Sequence, residues 1–226
     1  GGWAFYLTSL FFVMRYAKFA NRSDLLIASG VIGLGALFKE YSLLGIIPIA
    51  TFLIYENNKS IFDLIKKSTI PAFLSVGPII VLYVYVYLRF GYTYADWITD
   101  SYKYDYSSNL ILRILEYIKS LGSLYNVFAI FVIGGFWFLC KNYRLLPRRN
   151  LIFLIGSLLS FMPVFLWGGV TQRILFITVP AMAFVAGYFF QKKDRFYYLF
   201  YFALIIYIVI NFITDSVILN LINLPF

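Results

Sequence analysis

The sequence predicts an all-α integral membrane protein: a polytopic bundle of about eight membrane segments, two of them short, with an amphipathic helix on the outer surface. Three observations carry this. Of the 226 residues, 62% are hydrophobic and 13% charged, with a mean hydropathy of +0.83, whereas soluble domains carry about 25% charged residues. The apolar residues come in long runs that approach the ~20 residues needed to cross a bilayer as a helix. They are apolar on all sides, unlike the alternating ten-residue pattern of a barrel strand. Finally, the basic residues collect unevenly between the runs. The same composition excludes other classes. A single cysteine, Cys140, rules out a disulfide scaffold, and the absence of histidine removes His-based catalysis and His metal sites. Disorder needs low hydrophobicity, so it is excluded too.

The segments are 3–19, 25–38, 41–55, 70–88, 122–140, 151–167, 174–190 and 196–213. With the first running from outside to inside, the inner loops hold Arg15, Lys18 and Arg22; Lys59, Lys66 and Lys67; Lys141, Arg144, Arg148 and Arg149; and Lys192, Lys193 and Arg195. The outer side holds Lys39, Arg89, Lys103, Arg113, Lys119 and Arg173. The positive-inside rule therefore orients the chain and places its C-terminus outside the cytoplasm, in the inner (plasma) membrane of a cell. The net charge of +9 reads as topology and lipid headgroup contact rather than nucleic-acid binding. Residues 1–226 read as a single transmembrane domain. The chain opens without Met or a signal-peptide layout, which predicts a piece of a longer protein.

Segments 25–38 and 41–55 reach only about 21–23 Å, against ~30 Å of hydrocarbon. The turn between them, at Lys39 and Glu40, is expected below the outer surface, where charge is costly and tends to face water. A plain Lys–Glu pair at an interfacial turn is the alternative. Pro71, Gly77 and Pro78 predict kinks in the fourth segment without chemistry. Cys140, at an inner helix end, reads as a packing residue.

The one long outer loop spans 89–121. Its first half interleaves Tyr92, Tyr94, Trp97, Tyr102, Tyr104 and Tyr106 with Asp96, Asp100, Lys103 and Asp105. Flat aromatic faces beside polar tips suit a sugar ring, and they equally suit an interfacial belt. The second half, 109–122, repeats apolar residues at helical spacing and predicts an amphipathic helix lying on the outer face. The next outer turn, 167–173, is tight and ends at Gln172 and Arg173. An outer arginine runs against the charge bias, and its guanidinium can hold a phosphate in bidentate fashion.

Two stretches taken together resemble a known family. Residues 33–44, Gly-Leu-Gly-Ala-Leu-Phe-Lys-Glu-Tyr-Ser-Leu-Leu, followed by Ile47-Pro48, are similar to the short helix, Lys-Glu turn and Pro-containing helix of GT-C superfamily membrane glycosyltransferases. Gln172-Arg173-Ile174-Leu175-Phe176 through Pro180-Ala181 resembles a later Arg-containing segment of the same proteins. The branch that looks nearest contains protein O-mannosyltransferases and lipid A aminoarabinose transferases. Phe38 and Ile174 depart from that pattern, where Thr and an aromatic residue are usual. The resemblance implies transfer of a sugar from a polyprenyl-phosphate donor to a lipid, glycan or protein acceptor on the extracytoplasmic face.

On this reading Lys39 and Arg173 hold the donor phosphate. Glu40, Tyr41, Asp96, Trp97, Asp100, Asp105 and Gln172 are candidates for sugar or acceptor contacts. The catalytic acid of the family lies in a first outer loop, which this chain lacks, so that loop and its helices are expected upstream of Gly1. No cofactor is implied, although the loop carboxylates could take a divalent metal. Three other readings fit parts of the pattern. An O-antigen-type polymerase or ligase predicts a larger outer loop with paired arginines. A transporter predicts ionisable residues at helix midpoints. A non-catalytic membrane subunit predicts no acidic loop upstream.

Overall fold

A computed structural model describes residues 2–57, 60–93, 96, 110–163, 175–190, 198–199 and 201–210. Every regular element among them is helical, and none is a strand. Helix α1 is Gly2–Phe19, α2 is Arg22–Ala36, and a 3₁₀ turn, Glu40–Gly45, leads into α3, Ile46–Glu56. Then come α4, Ile61–Phe90; α5, Leu110–Tyr125; α6, Ala129–Asn142; α7, Arg148–Leu159; α8, Val179–Phe190; and α9, Tyr201–Ile210. Among the described residues one helix, α4, combines the length and apolarity needed to cross a membrane, while α6, α8 and α9 are apolar but shorter.

Local chemistry explains the boundaries. Helix α1 stops because Ala20 turns into the left-handed region (φ 56°) and closes the last turn through its N–H to the Tyr16 carbonyl, at 2.9 Å. Asn21 then caps α2, its side-chain oxygen accepting from the Ser23 N–H at 3.1 Å. Ser60 caps α4 by accepting from the Asp63 N–H at 3.2 Å. This cap winds residues 61–69 into the helix, although the sequence assigns them, with Lys66 and Lys67, to a loop. Pro71 and Pro78 both lie inside α4, which runs unbroken to Gly91, a left-handed cap at φ 63°. The expected short pair corresponds to α2, with 15 residues, and α3, with 11, joined by the 3₁₀ turn, but α6, with 14 residues, and α7 and α8, with 12 each, are as short, so length does not set the pair apart. The amphipathic helix 109–122 is found as α5, which extends to Tyr125 and so takes residues expected in the fifth segment.

The helices pack α1 on α2, α2 on α4, α3 on α7 and α6 on α8. Small residues set these contacts, as between membrane helices, where close backbone approach replaces the hydrophobic drive. A Cβ added at Gly156 of α7 would lie 2.7 Å from the Pro48 Cα of α3. One at Gly135 of α6 would lie 2.7 Å from the Val185 carbonyl carbon of α8. The main core joins Tyr6, Leu10, Val13, Leu25, Ile32, Phe52, Leu175 and Ile177. Buried hydroxyls bond mostly to their own helix: Ser29 donates to the Leu25 carbonyl at 2.9 Å and Ser75 to that of Pro71 at 2.8 Å.

Large apolar side chains nevertheless point outward along most helices. Phe73 is 73% exposed, Leu88 77%, Ile133 68% and Trp137 75%. On α5, Ile111, Ile114, Leu115 and Ile118 form an exposed apolar stripe, while Tyr117 is buried and Leu121 and Leu124 pack on the core. Cys140, expected to pack, is exposed at the end of α6.

Candidate functional site

Helix α2 ends in a turn where the Lys39 N–H reaches back to the Gly35 carbonyl at 2.9 Å. Lys39 itself is extended (φ −158°, ψ 127°), and the 3₁₀ turn begins at Glu40. This single extended residue reverses the chain. The turn is clamped on the start of α1. A Cβ on Gly2 would lie 2.6 Å from the Lys39 Cβ and 3.0 Å from the Tyr41 ring. Trp3 meets Tyr41 with ring centroids 5.1 Å apart, and Phe5 stacks on Phe38 at 5.2 Å. The buried Ser42 hydroxyl donates to the Gly2 carbonyl at 3.2 Å.

The clamp holds the backbone and leaves the charge out. Lys39 is exposed, and its side chain makes no ion pair, hydrogen bond or ring contact with any described residue, Glu40 included. The local Lys–Glu pair weighed from the sequence therefore does not form. Glu40 and Tyr41 are half-buried. An ammonium that no described group engages can receive an anion without first breaking a bond to any of them.

Asp96 has a different setting. Its carboxylate accepts from the Thr93 N–H at 2.7 Å and from the Thr93 hydroxyl at 2.6 Å, and the Asp96 N–H donates to the Thr93 hydroxyl oxygen at 3.1 Å. This is a reciprocal capping box with Asp in the place of the usual Glu. The hydroxyl and backbone donors hold the Asp96 carboxyl below its ordinary 3.8. One carboxylate oxygen, Oδ2, is thus committed to the chain's own turn. Trp97, Asp100, Asp105, Gln172 and Arg173 lie outside the described residues, as do the Arg113 and Glu116 side chains of α5. Of the sequence-predicted site residues, Lys39, Glu40 and Tyr41 come together on one turn, and Asp96 stands in a separate one.

At the opposite end of α1, cations from several helices converge. Arg149 at the start of α7 pairs with Glu56 at the end of α3, and Glu56 also accepts from the Tyr16 hydroxyl of α1. A second Arg149 nitrogen donates to the Tyr16 carbonyl at 3.2 Å, and the guanidinium lies 5.4 Å from the Tyr16 ring centre. Arg15 reaches Asp24 at 3.5 Å; Asp24 is 3% exposed and its second oxygen has no hydrogen-bond partner among the described residues. Lys67 donates to the Asn57 side chain at 2.7 Å. The sequence reading passed over Glu56 and Tyr16. The signal for them was an acidic residue at a helix end, next to a stretch that holds Lys59, Lys66 and Lys67.

No group of three His, Cys, Asp or Glu side chains able to hold a metal occurs among the described residues. No family model, curated protein or solved structure matches the chain.

Proposed function

We propose that the chain is a multi-pass membrane domain of about eight segments, belonging to a glycosyltransferase. It moves a sugar from a polyprenyl-phosphate donor to a lipid, glycan or protein acceptor on the extracytoplasmic face. The observation that carries the reading is Lys39: an exposed cation with no ion-pair partner among the described residues, on the turn between α2 and the 3₁₀ segment, beside the half-buried Glu40 and Tyr41. The outward Phe, Leu, Ile and Trp side chains support the membrane setting, because soluble monomers rarely expose large contiguous apolar patches. The length of α1, about 26 Å at 1.5 Å per residue, separates the Lys39 end from the Arg149 end by nearly one hydrocarbon thickness.

Breaking a sugar–phosphate bond builds negative charge on the departing phosphate, and a fixed cation there stabilises that charge in a water-poor site. Lys39 and Arg173 supply it, while Glu40 and Tyr41 face the sugar or the acceptor. In the protein that contains this chain, Lys39→Ala and Arg173→Ala should each lower transfer from a polyprenyl-phosphate donor by about 10²–10³, the cost of losing one such donor. Lys39→Arg should retain more, and the exposed Lys66→Ala little changed. Full activity in both alanine variants removes the assignment. The topology has its own reporter: Cys140, the chain's one cysteine, should react with a membrane-impermeant maleimide in inverted vesicles and not in intact cells.

A further inference from the structure

A cleft of 910 Å³ opens between α1, the start of α7 and α8, at the far end of α1 from Lys39. Its lining divides in two. Phe11, Met14, Phe19 and Phe184 give an apolar wall, and Arg15, Lys18, Arg148 and Arg149 give a cationic one. Phe11, Met14, Arg15 and Lys18 follow helical spacing, so they share one face of α1. Over the seven residues from Phe11 to Lys18, about 10 Å of helix, that face passes from aromatic to charged. The apolar side is uncovered: Phe11 is 49% exposed and Met14 44%.

The cations are only partly neutralised. Arg15 is engaged by Asp24 and Arg149 by Glu56. Lys18 lies over the Phe19 ring at 5.1 Å, and neither it nor Arg148 has a carboxylate partner among the described residues. Two positive charges are left at the mouth of an apolar cleft. That arrangement is complementary to one amphiphile: a negatively charged headgroup at the mouth and an acyl chain along Phe11 and Met14.

We propose that this cleft binds an acidic phospholipid, its phosphate held by Lys18 and Arg148 and its chain laid against the apolar face of α1. The site is separate from the donor turn, since Lys18 lies sixteen residues, about 24 Å, along α1 from Gly2, which packs beneath Lys39. The proposal rests on the membrane setting proposed above.

The test is to purify the protein from bilayers of equal phosphatidylcholine and phosphatidylglycerol and to count retained lipids by native mass spectrometry. The wild type should keep one phosphatidylglycerol in preference to phosphatidylcholine. Lys18→Gln with Arg148→Gln should reduce its retention about tenfold or more, as expected for losing two basic contacts. Met14→Trp, which fills the apolar wall and spares all four cations, should lose it as well. Lys66→Gln with Lys141→Gln removes as much charge at exposed positions outside the cleft, and should keep it. Undiminished retention in the Lys18/Arg148 variant overturns the proposal, as does equal loss in the Lys66/Lys141 variant, which would indicate surface potential alone. Displacement of the lipid by inorganic phosphate would also overturn it, pointing to a free anion site. If alkaline carbonate extracts the protein from membranes, the membrane reading fails first. A protein that stays embedded and transfers sugar without lipid preference overturns this proposal alone.

Discussion

Two glycines one helical turn apart in α2 should respond to the same substitution with opposite signs. A Cβ at Gly33 would fall deep inside the Leu74 carbonyl oxygen of α4 and 3.1 Å from the Pro78 ring, whereas one at Gly30 meets nothing within 4 Å. In both, Gly→Ala removes the entropic cost of glycine inside a helix, about 0.5–1 kcal/mol. At Gly33 the obstacle is backbone, which no rotamer change can clear, so α4 must move away. Overpacking of this kind costs about 1–3 kcal/mol. The expected net change is a gain of about 0.5–1 kcal/mol for Gly30→Ala and a loss of about 1–2 kcal/mol for Gly33→Ala. For a chain of this size 1 kcal/mol moves the melting temperature by about 2–4 °C. Gly30→Ala should therefore melt about 1–4 °C higher and Gly33→Ala about 2–8 °C lower. Circular dichroism melts in one nanodisc preparation make the comparison. The same order should appear for Gly135→Ala, which meets the Val185 backbone, against Gly187→Ala, which meets nothing within 4 Å. If Gly33→Ala melts with Gly30→Ala, the close approach of α2 to α4 is wrong.

Other outcomes are as direct. Glu56→Gln should destabilise by about 1–2 kcal/mol, between the values for exposed and buried ion pairs. In a double-mutant cycle with Arg149→Gln most of that loss should appear as coupling; additive melting shifts would show that the pair contributes nothing. Ala20→Gly should stabilise by about 1 kcal/mol, because glycine removes the left-handed penalty that Ala20 carries at φ 56°; an unchanged melt counts against that backbone. The Asp96 carboxyl should titrate below 3.8 by NMR, and Thr93→Ala should raise it. Since the folded value is depressed, the stabilisation of the turn is complete above the unfolded value and fades as pH falls through the lower folded one. A titration that Thr93→Ala leaves unmoved would deny the capping box.

Helical class and the amphipathic α5 were legible because each is written locally, as run length or as spacing along a face. What was not legible depends on partners distant in the chain. Nothing local marks Glu40–Gly45 as 3₁₀: it packs on Gly2, Trp3 and Ser9 of α1, more than thirty residues earlier in the chain. Residues 61–69 looked like loop because Lys66 and Lys67 interrupt the apolar pattern, yet the Ser60 cap and good helix formers suffice to wind them. The Tyr16–Glu56–Arg149 tie joins residues 40 and 93 positions apart, and no reading of spacing reaches that far. Asp96 shows the converse limit. Its place in an aromatic, acidic loop invites a ligand role, while the Thr three residues before it, an equally local signal, specifies a cap.

The two ends of α1 show why charge alone is a poor guide to a site in such a bundle. At the Arg149 end the cations are numerous, and Arg15, Arg149 and Lys67 are each engaged by Asp24, Glu56 or Asn57. Bonded in this way, those three fasten helices together, and a ligand that took one would have to compensate the residue it left behind. Lys39 has the opposite circumstances: a backbone held on several sides and an ammonium held by none of the described groups. Preorganised position with unsatisfied charge is the combination that makes binding an anion inexpensive. What marks Lys39 as a candidate site is that no described group engages it, not the total of +9. Lys39→Gln, which keeps the turn and removes only the charge, should weaken donor binding while leaving the basic end, and its affinity for acidic lipid, as it was.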